Sequence, residues 1–322
     1  MLDVPPDRGV LDEAGARAIG RPGGRANRRP PRADADPPSS LLAVCAAGGA
    51  PTPARDGVTI GGWTVTSRKG AMAGAPGLDA ARAALGGPPA LPEQLFSDAR
   101  LTATHAASGV TLSFCATGAL RAWRAAARDA PRVPAAAAWR AARAKEIRDA
   151  GAPTLDYDWT FTAPYKGDLS GGGGSAPARF TPTPSRLDRA PLTARDPILY
   201  WDDVPLFASE LDDCGAASAG VRVRVMPSCW FALARTFVRV DGVLVRLYEC
   251  RVLASFDAAC ASAPPVVTRE WRAVEGSLSD LAASGAPGGG PAYADADAAA
   301  AALAAVAPVG VVAFETEALE LG

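Results

Sequence analysis

A single histidine, His105, in 322 residues is the first fact that narrows this chain. An HExxH helix, a His-rich metal cluster and a Cys₂His₂ finger all need more than one. The six cysteines (Cys45, Cys115, Cys214, Cys229, Cys250, Cys260) include no CxxC pair. At this length they read as reduced, partly buried thiols and not as a disulfide framework. There is no basic excess: 33 Lys+Arg stand against 34 Asp+Glu, whereas a nucleic-acid binder carries a positive surplus. No apolar run reaches the ~20 residues of a bilayer span. The uncharged stretch from Ala298 to Phe314 is mostly alanine and contains Pro308. Residues 1–30 mix acids with arginines and show no apolar segment of a secretory signal. The GDxHG and GNHE patterns of metallophosphatases are missing too. These absences point to a soluble protein of the cytoplasm, with the nucleus as a second location. They call for no cofactor, no metal, no nucleic acid and no membrane.

What is present is unevenly spread. Hydrophobic residues reach 48 %, but alanine inflates the figure and mean hydropathy is only +0.06. The seven Trp, nine Phe and the β-branched runs concentrate between positions 58 and 271. Residues 1–56 hold Arg, Pro, Gly, Ala and Asp, which bury too little surface to offset ordering entropy, so a disordered extension is expected there. Residues 57–322 then form one domain, with a Gly-rich loop insert at about 168–186. Because no GK[ST] follows Gly171–Gly174, that insert is not a phosphate loop.

The local patterns favour strands. Val58 to Ser67 is β-branched and flanked by turn residues, which predicts a strand. Leu101–His105 and Val110–Cys115 around a Gly-bearing turn predict a hairpin. Ala119–Arg128 and Ala135–Arg148 predict helices. Tyr157, Trp159 and Phe161 alternating with Asp158, Thr160 and Thr162 predict another strand. The densest block runs from Pro197 to Val252, with a long strand Cys229–Val240, an Asp241-Gly242 turn and a return strand Val243–Val252. Asp295–Ala307 reads as a helix and Val309–Thr316 as a closing strand. The expected fold class is α+β, a mainly antiparallel β-sheet core with flanking helices.

Taking Asp241-Gly242 as a two-residue loop fixes a register. Val240 pairs Val243, Val238 pairs Val245, and Thr236 pairs Leu247 on one apolar face. Arg239 pairs Leu244, Phe237 pairs Arg246, and Arg235 pairs Tyr248 on the other. Three arginines, Arg235, Arg239 and Arg246, would then share a basic, aromatic surface. Either their stems lie over the sheet and pair with acids such as Asp202 or Asp212, or they hold a ligand.

Longer patterns carry a resemblance. Asp158-Trp159-Thr160-Phe161-Thr162 with Tyr165-Lys166-Gly167 is similar to DWT[YF]T…YKG. Leu206-Phe207 and Glu210 to Gly215 are similar to LFEDELHDHG. Val223-Arg224-Val225-Met226-Pro227-Ser228, then Arg235, Val238 to Arg246 with Asp241-Gly242, and Arg251 match K[IV]RVMPS…R…LR[VI]DGV…R…R. Weaker echoes are Leu91-Pro92-Glu93, Phe114 with Ala116-Thr117, and Arg269-Glu270-Trp271. From about Val58 to Leu278 the chain resembles the TIPRL (TOR signalling pathway regulator-like, Tap-interacting protein) family. There are departures. Gly118 stands where members carry Asp, Asp212-Asp213-Cys214 replaces the His-rich segment, and Leu247-Tyr248-Glu249 replaces an LRMND-type turn.

The resemblance implies a non-catalytic regulator that binds catalytic subunits of type-2A-like protein phosphatases in TOR-linked signalling, with other phosphatase regulatory subunits as further partners. Candidate partner-binding residues are Arg235, Arg239, Arg246, Phe237, Tyr248, Leu247 and Glu249. Acidic, carboxylate-ended phosphatase tails suit such a surface through bidentate arginine bonds. Asp158 and Trp159 read as core more than contact. Catalysis has little to work with. His105 near Ser113 or Cys115 lacks an orienting group and reads as a surface histidine. Asp202-Asp203 and Asp212-Asp213 read as solvated or Arg-paired acids. A second function class stays open, an adaptor that holds other partners through residues 1–56.

Overall fold

A strand with one buried face alternates, and Gly215–Val225 does so throughout: Ala217, Ala219, Val221, Val223 and Val225 are buried while Arg222 and Arg224 between them are not. The computed structural model describes residues 52–54, 56–86, 91–126, 132–134, 141, 144, 154–156, 160–172, 177–256, 266–304 and 311–321. Among these, the larger sheet contains eight antiparallel strands. In spatial order they are β10 (Thr181–Pro182), β16 (Val311–Glu320), β15 (Val266–Ser277), β14 (Leu244–Ser255), β13 (Cys229–Val240), β12 (Gly215–Val225), β11 (Tyr200–Ser209) and β4 (Gln94–Leu95). The smaller has six: β1 (Thr52–Ala54), β2 (Gly57–Ile60), β3 (Trp63–Arg68), β5 (Arg100–His105), β6 (Thr111–Cys115) and β9 (Asp168–Ser170). A separate pair joins β7 (Arg132–Pro134) to β8 (Thr154–Asp156).

One continuous core lies between the two sheets, with Trp63 of β3 meeting Trp230 of β13 edge-on at 5.1 Å. Both indoles are essentially fully buried. Large apolar side chains of this kind each contribute about 1.5–3 kcal/mol when removed from water. Five short helices are bounded among the described residues: α1 (Ala75–Ala84), α2 (Ala116–Ala125), α3 (Ala190–Thr193), α4 (Leu278–Ala283) and α5 (Ala296–Ala304). The α+β reading holds, and so do the strand Cys229–Val240 and the 100–115 hairpin.

Several local expectations are corrected. Val58 to Ser67 is not one strand, because Gly61 and Gly62 adopt φ +58° and +77° and turn the chain between β2 and β3. Thr160, Phe161 and Thr162 do not alternate either. All three are buried, Phe161 has φ +52°, and the segment crosses the core, where Phe161 packs on Phe207 and Trp123. His105 is no surface residue. Its ring sits 5.1 Å from Trp63, bonds Ser108 Oγ at 2.9 Å, and is only 7 % exposed. The expected extension up to residue 51, Asp158, Trp159 and most of the Ala135–Arg148 helix lie outside the described residues.

Candidate functional site: an arginine stripe across the large sheet

The Asp241-Gly242 turn decides which residues can act together. It is a three-residue loop, Asp241-Gly242-Val243, with Gly242 at φ +72°. Val240 therefore pairs Leu244, and every partner on β14 moves by one. Arg235 faces Glu249, Phe237 faces Leu247 and Arg239 faces Val245, while Thr236 faces Tyr248 and Val238 faces Arg246. The expected trio of arginines is split, since a one-residue slip sends a strand's side chains to opposite faces. Arg246 and Tyr248 point into the space between the sheets. There Arg246 is buried, with Nε on Glu275 at 2.7 Å and Nη1 on Thr162 Oγ1 at 2.8 Å.

The other face of the sheet is covered in two places. At the β13–β14 hairpin end, Leu281 of α4, Tyr293 and Ala299 of α5 lie on Phe237, Val245 and Leu247. At the opposite end, Leu187 and Leu192 of α3 join Met226, Cys229 and Leu253. Phe237 and Leu247 are consequently core residues. Between the two covers runs a polar stripe. One row across the strands reads Gly220, Arg235, Glu249, Arg272, and the next reads Asp203, Arg222, Leu233, Arg251, Glu270.

Glu249 anchors this stripe. Its side chain is 1 % exposed, with Arg235 Nε at 2.8 Å and Arg251 Nη2 at 2.9 Å. Arg272 Nε lies 2.6 Å away, an ion-pair distance at which its N–H is not aligned on the oxygen, so charge and not a directed bond holds that pair. Burial alone would raise the Glu249 pKa, but Arg251, Arg272 and Arg235 outweigh it and hold the carboxyl below its ordinary range. Arg251 shows the converse. Burial, then the neighbouring charges of Arg272 and Arg189, lower its pKa despite Glu249. Asp297 of α5 adds a second acid, accepting from Arg222 Nη1 and Nη2 at 2.6 and 2.7 Å and also pairing Arg235. Arg222 reaches Asp203 at 2.9 Å, and Arg224 donates to the Leu192 carbonyl at 2.9 Å. Five arginines from four adjacent strands thus share one face, with Arg251 and Arg272 each more than a quarter exposed.

Arg239 sits apart, at the hairpin tip. Its guanidinium bonds Asp241 at 2.6 Å and the Tyr293 and Gly290 carbonyls at 3.0 and 3.4 Å. It borders an open cleft of about 740 Å³, also lined by Asp241, Gly242, Leu278, Gly290 and Pro291. Among the described residues no His/Cys/Asp/Glu cluster could hold a metal, and no helix is long and apolar enough to cross a membrane. The Cys229 and Cys250 thiols are pushed up to about 11 and about 12 by burial.

A family model for the TIP41-like family matches residues 94–282, more than half of the chain. The chain belongs to the TIP41-like family. It is 37 % identical over 211 residues to a TIP41-like protein of Arabidopsis thaliana, covering 61 % of this chain and 70 % of that one. It is 36 % identical over 193 residues to the Homo sapiens TIP41-like protein, covering 60 % and 67 %. The Saccharomyces cerevisiae relative, named type 2A phosphatase activator TIP41, is 28 % identical over 241 residues, covering 70 % and 64 %. The family match spans the whole stripe apart from Asp297.

Most residues that signalled the family turn out to shape the fold. Met226 and Pro227 are buried in the β12–β13 turn, where Met226 N bonds Cys229 O at 2.8 Å. Gly167 has φ +84°, and a Cβ there would come within 2.9 Å of the Phe114 ring. Lys166 pairs Glu315 and Glu317 beside Trp271. Tyr165 Oη accepts from Cys115 N at 3.1 Å and donates to Asp168 at 2.9 Å. Burial and the Asp168 charge raise its pKa well above the usual tyrosine range. The departure at Gly118 is explained here, because a Cβ would stand 2.1 Å from Asp168 Oδ2. In this chain Asp168 brings a carboxylate to the spot a side chain at 118 would fill. Arg222, Arg272 and Asp297 were missed. The signal for Arg272 was present, since the alternation of β14 and β15 sets it opposite Glu249.

Proposed function

We propose that this protein is a non-catalytic regulator that binds catalytic subunits of type-2A-like serine/threonine protein phosphatases and alters their activity or assembly in TOR-linked signalling, in the cytoplasm and secondarily the nucleus. The arginine stripe carries this reading. Interface anchors are enriched in arginine, and guanidinium groups bind carboxylates in bidentate fashion. Here Arg251 and Arg272 are pre-positioned by a buried glutamate and still partly open to a partner. Two yeast relatives named as type 2A phosphatase activators support the partner class. The acidic, carboxylate-ended tails of the catalytic subunits fit the stripe chemically, and other phosphatase regulatory subunits are secondary partners. A non-enzymatic role fits the side chains, since His105 is held against Trp63 and Asp202 and Asp203 point to opposite faces. The test is binding of the purified full chain to a purified type-2A catalytic subunit across a salt series. Affinity is expected to fall as salt rises, because half-exposed charges are screened over ~8–10 Å. Salt-independent binding, or binding that disappears when residues 1–56 are removed, would favour the adaptor reading instead.

A further inference from the structure

Asp297 is the one acid on the stripe that does not come from the sheet. It accepts bonds from Arg222 and Arg235, yet its side chain is half exposed, and the Arg222 hydrogen bonds, working against desolvation, keep its pKa low. The helix that carries it buries little apolar area. Seven of the nine residues of α5 are alanine; Ala299 is buried, and Ala296, Ala300, Ala302 and Leu303 pack partly buried on the Phe237 cluster. Alanine buries little area, and a helix this short is not stable by itself in water. Docking is therefore what keeps α5 helical, and the Asp297 charge pair is its main polar anchor. In the neighbouring turn the enclosed Tyr293 hydroxyl finds no hydrogen-bond partner among the described residues. A buried hydroxyl in that state costs free energy, which weakens the docked arrangement. Beside it the cleft of about 740 Å³ opens between the hairpin tip, α4 and the Gly290–Tyr293 turn.

We propose that the acid completing the stripe is exchangeable: α5 lays Asp297 on Arg222 and Arg235 as an internal occupant, and an acidic segment of a partner protein takes its place on binding. The proposal rests on reading the stripe as the partner-binding face. Arg235 is the pivot, because it stays fixed by Glu249 whichever acid sits on its other side. A partner carboxylate arriving there gains a guanidinium already held in position, and α5 loses its anchor and is released.

The experiment measures affinity and hydrogen exchange on the full chain with a purified type-2A catalytic subunit, and separately with an oligoglutamate peptide. Asp297→Asn is expected to tighten binding of the catalytic subunit about twofold to fivefold, the range set by a half-exposed ion pair. It should also speed amide exchange in residues 296–304 of the free protein. In the wild type, either ligand should speed exchange in 296–304 while residues 229–255 stay protected. Unchanged or weaker binding by Asp297→Asn overturns the proposal, as does protection of 296–304 on binding. If the catalytic subunit does not bind the wild type but oligoglutamate still releases 296–304, the exchange stands and the phosphatase reading falls. Failure of both ligands to release the helix overturns the exchange.

Discussion

Glu249→Gln removes one negative charge from the centre of the stripe and leaves its shape. The carboxylate is 1 % exposed and lies within 2.9 Å of three guanidinium groups. Breaking a buried ion pair and leaving its partner uncompensated costs about 3–5 kcal/mol. The arginines here are between a sixth and a third exposed, so water offsets part of that loss and about 2–3 kcal/mol is the appropriate figure. For a domain of this size that corresponds to a Tm lower by about 4–12 °C. The pH dependence fixes the cause. The folded carboxyl has a lowered pKa, so its stabilisation is present above the free-glutamate value of about 4.3 and is lost as pH falls through the folded value. Calorimetric Tm curves of wild type and Glu249→Gln should be well separated at pH 7 and converge towards acid pH. Adding Arg272→Met to Glu249→Gln should recover part of the loss, because it removes one of the crowded charges. A Tm within about 1 °C of wild type at pH 7 would contradict this, since the buried carboxylate would then contribute no more than an exposed one.

Three further outcomes are expected. His105→Ala should destabilise by about 1–3 kcal/mol through lost packing on Trp63 and an abandoned Ser108 hydroxyl; burial lowers the His105 pKa, so wild-type stability should fall as pH drops below about 6.5, and urea midpoints of the variant should lack that component. Gly118→Asp should cost about 1–3 kcal/mol by collision with Asp168, and Asp168→Ser in the same chain should relieve it, read as thermal shifts of the single and double variants. Arg239→Ala should leave the Gly290 and Tyr293 carbonyls without their donor, costing about 1–2 kcal/mol and speeding exchange in residues 278–304 more than in 215–225.

The sequence was informative wherever a signal was local. Alternation in Val221, Val223 and Val225 needs only the pleat, and the long strand from Cys229 to Val240 follows from the same rule. The hairpin shows where that stops. Asp241-Gly242 suits a two-residue loop and equally the first part of a three-residue one, and only tertiary packing chooses. Here Asp241 N bonds Cys214 O at 2.9 Å and Leu278 N bonds Val243 O at 3.0 Å, which fixes the longer loop. That single residue separated Arg246 from Arg235 and Arg239. It also placed Glu249 opposite Arg235, a pairing the shorter loop would forbid. His105 was misread because a Gly-bearing turn beside it suggested solvent, while Trp63, 42 residues earlier, covers its ring. Asp297 could not have been found locally, since it meets Arg222 and Arg235 only through the docking of α5.

In the function proposed above, the stripe on the outer face of the large sheet, and not residues 1–56, engages a type-2A phosphatase. The direct measurement is the Kd of the full chain for a purified type-2A catalytic subunit, compared with the Arg251→Ala/Arg272→Ala double variant, with circular dichroism confirming that the variant is folded. Measurable wild-type binding is expected, with a loss of at least about tenfold in the double variant, the scale of one anchor of about 1.4 kcal/mol or more. Wild-type affinity in a folded double variant would contradict it.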